Sequence, residues 1–306
     1  MKPRFEIDAL KQFLAEKLGV SIVSCTMITA CSRPDNFRVT TATGDRYVVK
    51  CALDGMATDS FFYKHSLVHL QELQSVKSVV RLVAGPWEFS GHSVIVLRCL
   101  PGRNVRVDAL NPEQEHALIQ AYSELSEAMQ HVSHVRPYRD SLNKYREFLE
   151  ELRKRPACEP LLTVLENKIS EDQLAYDERR LKVIHGDLHH GNMLFDGNEL
   201  SGFIDFEDIR YGYPAEDWVR YVVCGQEHMA FFNFIGHRRA LACFKRLLPL
   251  AKADEWHVAI NELLIKKIGN RIRKRGFTAR MVNNLLFRIK FYLKLHAIVD
   301  RYCTNV

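Results

Sequence analysis

The chain of 306 residues has no uninterrupted apolar run long enough to span a bilayer, which takes about 18 residues or more. Its first residues, Met1 to Asp8, lack the apolar stretch of a secretory leader. The expectation is therefore a cytoplasmic protein with no transmembrane segment. No C-x-x-C pair occurs among the eight cysteines, which are scattered over the chain. That argues against a zinc ribbon or a disulfide framework and for reduced thiols. There is no G-x-S-x-G to suggest acyl transfer. The G-x-x-x-x-G spacing at Gly186 to Gly191 lacks the Lys-Ser/Thr that completes a P-loop, so that reading is rejected. Internal repeats and low-complexity tracts are absent as well.

What is present is ordinary for a globular protein, with 47% hydrophobic and 26% charged residues. The charge is unevenly distributed. The net value is +6, yet residues 234–306 hold 16 Lys/Arg against 4 Asp/Glu, so the remainder is net acidic. Lys266, Lys267 and Arg271 to Arg275 form the densest basic run. It reads as a solvated helix face, with contact to an anionic surface or a phosphate-bearing acceptor as the alternative. No fold-level motif supports a nucleic-acid partner.

The informative stretch is His185-Gly186-Asp187-Leu188-His189-His190-Gly191-Asn192, followed by a hairpin pattern and then Ile204-Asp205-Phe206-Glu207. The apolar runs on either side of Asp196-Gly197-Asn198-Glu199 predict the hairpin. Phosphoryl transfer asks a protein for a carboxylate to take the acceptor's proton and for oxygen ligands to hold Mg²⁺ on the nucleotide phosphates. An Asp, an Asn five residues later and a second Asp beyond the next strand supply that set. Three histidines in the first segment raise zinc as another reading; it is set aside for want of a further ligand at useful spacing.

These residues resemble the catalytic core of the aminoglycoside phosphotransferase and choline kinase superfamily, which shares the protein-kinase-like fold. In protein kinases the corresponding motifs are H-R-D-x-x-x-x-N and D-F-G. Here Gly186 replaces the Arg and Glu207 the Gly, and His190 stands where Pro is common in the superfamily. The resemblance implies an α+β, bilobal fold. Residues 1–100 would form a nucleotide-binding lobe around a five-stranded antiparallel sheet. Residues 101–306 would form a mostly helical lobe carrying the catalytic hairpin. It implies ATP or GTP and Mg²⁺ as cofactors and a small-molecule hydroxyl acceptor. Asp187 would be the catalytic base, with Asn192 and Asp205 as metal ligands. Lys50 would reach the phosphates, with Ser32 in the loop above them, and backbone near Arg98, Cys99 and Leu100 would meet the adenine edge. His185 and Asp217 would be structural supports. Glu207 and Asp208 either extend the metal shell, face a cationic acceptor or cap a turn.

The sequence departs from the superfamily in the phosphate loop, Ala30 to Asn36, which has no glycine and contains Pro34. It departs again in the helix expected over Phe61 to Leu73, where no Glu falls clearly in position to pair with Lys50. These two departures sustain a second hypothesis, a catalytically silent nucleotide-binding module. A kinase acting on protein Ser/Thr is a third, but no A-P-E segment is found. The basic C-terminal region favours a neutral or anionic acceptor over a polycationic one.

Helices are also expected at Ile7–Leu18, from Asn111, at about Ser141–Arg155 and Leu161–Asp177, from Ala215, and through the C-terminal region. Strands are expected at Phe37–Thr41, Tyr47–Lys50, Val79–Val83 and Ser93–Leu97. Leu100-Pro101-Gly102 resembles an inter-lobe hinge.

Overall fold

A computed structural model of the protein describes residues 6–28, 35–53, 67–137, 141–169, 176–224, 234–275 and 279–303. Ser32, Asp59 and the first part of the helix expected from Phe61 lie outside them. The chain forms two compact units, each assembled from separate stretches of sequence. The first comprises Met1–Arg103, Glu113–His134 and Met193–Asp208; the second comprises Asn104–Pro112, Val135–Asn192 and Ile209–Val306.

The first unit is built on strands β1 (Ile22–Met27), β2 (Asp35–Thr41), β3 (Arg46–Leu53), β4 (Leu82–Phe89) and β5 (His92–Arg98). They pair in the order β1-β2-β3-β5-β4, and every pairing is antiparallel. Helix α1 (Ile7–Leu18) covers one face, because Leu10 and Leu14 stand one turn apart and are fully buried. They join Phe37, Val39, Val49, Val94 and Val96 in one apolar cluster. Gly19 ends α1 in the left-handed conformation, φ 65°.

β4 departs from the sequence expectation of 79–83. It runs 82–89, interrupted by register irregularities around Ala84 that hide the alternation of apolar residues. Val79 instead makes an isolated parallel bridge to Phe203. That residue lies on the hairpin of β7 (Met193–Asp196) and β8 (Glu199–Phe203), which the sequence predicts. The same unit contains α2 (Pro112–Met129) from Glu113 onward, whose Tyr122 ring meets Phe203 edge-on. The Pro101-Gly102-Arg103 turn also lies against the hairpin. Arg103 and Phe195 exchange backbone hydrogen bonds of 2.9 and 2.8 Å. A Cβ on Gly102 would come within 2.0 Å of the Phe195 carbonyl oxygen, so only glycine fits there.

The second unit is largely helical. α3 (Ser141–Arg153) and α4 (Glu159–Lys168) precede a short antiparallel pair, β6 (Lys182–Ile184) with β9 (Arg210–Gly212). α4 ends at Lys168, well before the expected Asp177, which instead caps a short 3₁₀ turn. α5 (Pro214–Val223) is buried along most of its length and packs against α6 (Phe234–Leu247) and α7 (Ala253–Arg275); α8 (Ala279–Cys303) lies along α7. Within this core Arg210 pairs with Glu216 at 2.7 Å, and Glu216 also accepts from the Tyr213 amide and the Tyr176 hydroxyl, both at 2.9 Å. A buried ion pair is tolerable only with further hydrogen bonds to its charges, which Glu216 receives here. Among the described residues no helix is long and apolar enough to cross a membrane.

Candidate active site

The residues singled out from the sequence fall into two clusters, one in each unit. In the first unit, β3 places Lys50 opposite Asn36 and Ile95 in the sheet. Its Nζ donates to Asp205 Oδ1 at 2.8 Å and to Glu207 Oε1 at 3.1 Å. Asp205 follows β8 in the left-handed conformation, φ 70°, which a non-glycine residue adopts only when its surroundings hold it there. Phe206, the next residue, is 1% exposed and anchors the turn. Burial disfavours the charge on Lys50, but the two carboxylates outweigh it and raise its pKa above the ordinary value. Burial likewise raises the pKa of Glu207, against the pull of Lys50 and with that of Asp205. Among the described residues, two carboxylates face this one ammonium.

The sequence leaves the partner of Lys50 open, and among the described residues Asp205 and Glu207 meet it. Glu72, the only candidate in the helix expected over Phe61 to Leu73, accepts from the Ser133 amide at 2.9 Å and the Ser133 hydroxyl at 2.6 Å.

In the second unit, the loop after β6 carries Asp187. It is pinned at its start, where the amides of His185 and Gly186 donate to the two oxygens of Asp217 at 2.9 and 2.8 Å. Both His185 and Asp217 are fully buried. The His185 ring accepts the Asp187 amide through Nδ1 at 3.3 Å. Asn192 closes the loop, its Nδ2 donating to the Asp187 carbonyl at 3.0 Å and to Oδ2 at 3.1 Å.

The Asp187 carboxylate has two further neighbours that the sequence reading did not identify. Arg220 forms an ion pair with Oδ1, and His189 Nε2 lies 3.5 Å from Oδ2. Burial alone would raise the Asp187 pKa; the hydrogen bond from His189 and the charges of Arg220 and the neighbouring histidines overcome it and hold the carboxyl well below its usual range. Arg220 stands three residues after Asp217 on α5, one turn along the same helix face. Asp217 fixes the loop's start, and the next turn delivers the guanidinium to its carboxylate. That i, i+3 spacing is the signal that could have identified Arg220.

Each cluster, taken by itself, offers an oxygen donor of the kind that Mg²⁺ accepts. Asn192 uses Nδ2 in its described side-chain bonds, so its carbonyl oxygen takes no part in them. In the first unit, Asp205 offers a carboxylate beside Glu207, both on Lys50. Both are hard oxygen donors of the kind that Mg²⁺ prefers.

The backbone expected to meet adenine is partly occupied. The Arg98 amide donates to the Arg81 carbonyl at 2.8 Å, and the Cys99 amide to the Arg46 carbonyl at 3.1 Å. The Arg98 side chain pairs with Asp45 at 3.1 Å.

Residues 27–245, well over half the chain, match the phosphotransferase enzyme family, and the chain belongs to that family. Its fold is also found in solved structures. One is an aminoglycoside phosphotransferase from Alicyclobacillus acidocaldarius, at 16% identity and TM-score 0.61, covering 100% of this chain and 98% of that one. Another is aminoglycoside 2′-phosphotransferase-IIIa in its GDP complex, at 15% identity and TM-score 0.62, covering 96% and 99%. A third is the amicoumacin kinase hAmiN in complex with AMP-PNP, Ca²⁺ and Ami, at 16% identity and TM-score 0.58, covering 93% of each chain. The fold is thus the α+β, protein-kinase-like fold expected from the sequence. A search of the curated proteins gave no match.

Proposed function

We propose that the protein is a small-molecule kinase that transfers the γ-phosphoryl group of ATP or GTP to a hydroxyl of its acceptor. Asp187 is the general base. Its carboxylate is ionised at neutral pH and accepts the hydroxyl proton as the new O–P bond forms and the bond to the leaving nucleoside diphosphate breaks. A carboxylate with so low a proton affinity takes that proton late, when the oxygen has already become acidic. Asn192 holds the carboxylate through Nδ2, and the Asp217 clamp fixes the loop that carries both.

Lys50 binds phosphate oxygens of the nucleotide, its charge secured by Asp205 and Glu207. Asn192 and Asp205 are the proposed Mg²⁺ ligands. When bound, that ion would neutralise charge developing on the phosphate oxygens. Leu100 and the carbonyl of Cys99 are the groups proposed for the adenine edge, because the amides of Arg98 and Cys99 are engaged elsewhere. Ser32 keeps its proposed place in the phosphate loop, outside the described residues.

Arg220 bears on the acceptor. A guanidinium beside the base repels a polycationic acceptor and tolerates a neutral or anionic one. It points the same way as the basic C-terminal region, so the preferred acceptor is a sugar-like or anionic hydroxyl compound. The proteins of similar fold act on aminoglycosides and amicoumacin, so those belong in the test.

The observation that carries the proposal is the Asp187 carboxylate held by Asn192 in a loop pinned to Asp217. The test is γ-phosphoryl transfer from ATP and GTP to a panel of sugars, anionic hydroxyl compounds, amino alcohols and aminoglycosides. Transfer that disappears in Asp187→Asn supports it. Folded protein that binds nucleotide but shows neither transfer nor hydrolysis above background would make it a silent module. Fast transfer to cationic acceptors alone would overturn the acceptor preference.

A further inference from the structure

The second unit contains, beside the proposed base, a group of side chains with the donor chemistry of a metal site. His189, His190 and Cys224 each offer a donor atom, and these atoms lie within 4.8 Å of one another. The two histidines belong to the loop of Asp187, and Cys224 ends α5, one turn past Arg220. We infer that His189, His190 and Cys224 form a binding site for a thiophilic divalent ion, of which Zn²⁺ is the representative, and that its occupancy restrains the proposed base.

The chemistry of the three residues selects the ion. Two imidazoles and a thiolate suit Zn²⁺ and disfavour Mg²⁺, which takes oxygen ligands. Tetrahedral Zn²⁺, with bonds of about 2.0 Å to nitrogen and 2.3 Å to sulfur, holds its ligands roughly 3.5 Å apart. Small side-chain rotations would bring the present cluster to that spacing, with a fourth position left for water.

His190 is already arranged as a ligand. Its ring hydrogen-bonds to the backbone of Cys224. Its Nδ1 is buried and has no hydrogen-bond partner. One ring nitrogen held by backbone while the other is left for a metal is how metal-bound histidines are usually oriented. The loop backbone beneath it is held too, since Asn104 Nδ2 donates to the carbonyls of His190 and Gly191 at 3.0 and 3.2 Å.

His189 supplies the coupling. Both of its ring nitrogens are engaged inside the Asp187 loop. Nδ1 accepts the Gly191 amide at 3.0 Å, and Nε2 faces Asp187 Oδ2 at 3.5 Å. Metal binding must take one of them, so it either removes a neighbour from the base or loosens the loop that holds it. The sequence could not single out this site, because Cys224 lies 34 residues from His190 and joins it only when α5 packs beneath the loop.

The effect on turnover rests on the proposed phosphotransfer; the binding does not, and the two are read separately. Full-length protein stripped with chelator is titrated with Co²⁺ alone. One equivalent should bind with a thiolate-to-cobalt charge-transfer band that Zn²⁺ displaces. The band should vanish in Cys224→Ser, and His190→Ala should weaken binding by about tenfold or more. Thermal melting establishes that each variant is folded. For wild-type protein, Zn²⁺ should protect Cys224 from iodoacetamide, read by peptide mass, which needs no variant. A missing band, a band that survives in Cys224→Ser, or unprotected Cys224 overturns the site. In turnover assays Zn²⁺ should slow the wild type and spare Cys224→Ser; equal inhibition of both overturns the coupling.

Discussion

The two clusters treat their carboxylates in opposite ways. In the first unit one ammonium, Lys50, faces two carboxylates, Asp205 and Glu207. In the second, one carboxylate, Asp187, faces a guanidinium and an imidazole. The difference shows directly in their acidities. Desolvation and the neighbouring Asp205 raise the Glu207 pKa against the pull of Lys50. The Asp187 pKa falls despite burial, because the His189 hydrogen bond and the Arg220 guanidinium favour its charged form. The first cluster gathers two carboxylates, which suits a cation. The second already has its charge matched and suits proton transfer.

The largest test of that contrast is Asp187→Asn. It removes the proton acceptor from the second cluster and leaves the first intact. Turnover should fall by about 10²- to 10⁴-fold, with metal–nucleotide affinity kept. Equal loss of both would erase the distinction between the clusters.

Asp205→Asn should act in the reverse sense. The Mg²⁺ concentration for half-maximal rate should rise on the order of tenfold to hundredfold, the scale seen when even the supporting shell of a metal site is damaged. A turnover defect with unchanged Mg²⁺ dependence would contradict the assignment.

Asp217→Ala attacks the clamp rather than the chemistry. It strips two buried amides of their charged acceptor, at a cost of roughly 3 kcal/mol. Chemical denaturation should report that loss, and a change under about 0.5 kcal/mol, the size of a neutral surface substitution, would mean the clamp is dispensable.

Arg220→Gln gives a smaller, directional effect. The Asp187 pKa is depressed in the folded state, so the ion pair's contribution to stability is fully present above the ordinary carboxylate pKa and is lost as pH falls through the folded value. Removing the guanidinium should move the acid limb of the pH–rate profile to higher pH. A stationary limb would deny Arg220 its influence on the base. Glu207→Gln should be mildest, slightly lowering the lysine's charge stabilisation and leaving the acid limb unmoved.

Local motifs were legible in the sequence wherever one segment carries both the residue and its support. Asp187, Asn192, the hairpin and the Asp217 helix are of this kind. So was α1, whose stripe and terminal glycine are contiguous. Long-range partners were not legible. The Lys50 contacts span more than 150 residues and run to acids that the sequence reading had given other roles. The segment around Gly85 and Pro86 concealed β4, because its irregular register breaks the alternation that marks a strand. Arg220 was overlooked because its position on α5 gains meaning only once Asp217 is known to hold the loop.

The central claim is a division of labour between the two clusters, and one paired measurement tests it most directly. Mg²⁺-dependent nucleotide affinity and single-turnover phosphoryl transfer are determined side by side for wild type, Asp187→Asn and Asp205→Asn. The account predicts that Asp187→Asn binds metal and nucleotide as wild type does but fails to transfer, while Asp205→Asn loses the metal-dependent part of binding. If Asp187→Asn transfers at the wild-type rate, or if Asp205→Asn binds metal and nucleotide unchanged, the account is wrong.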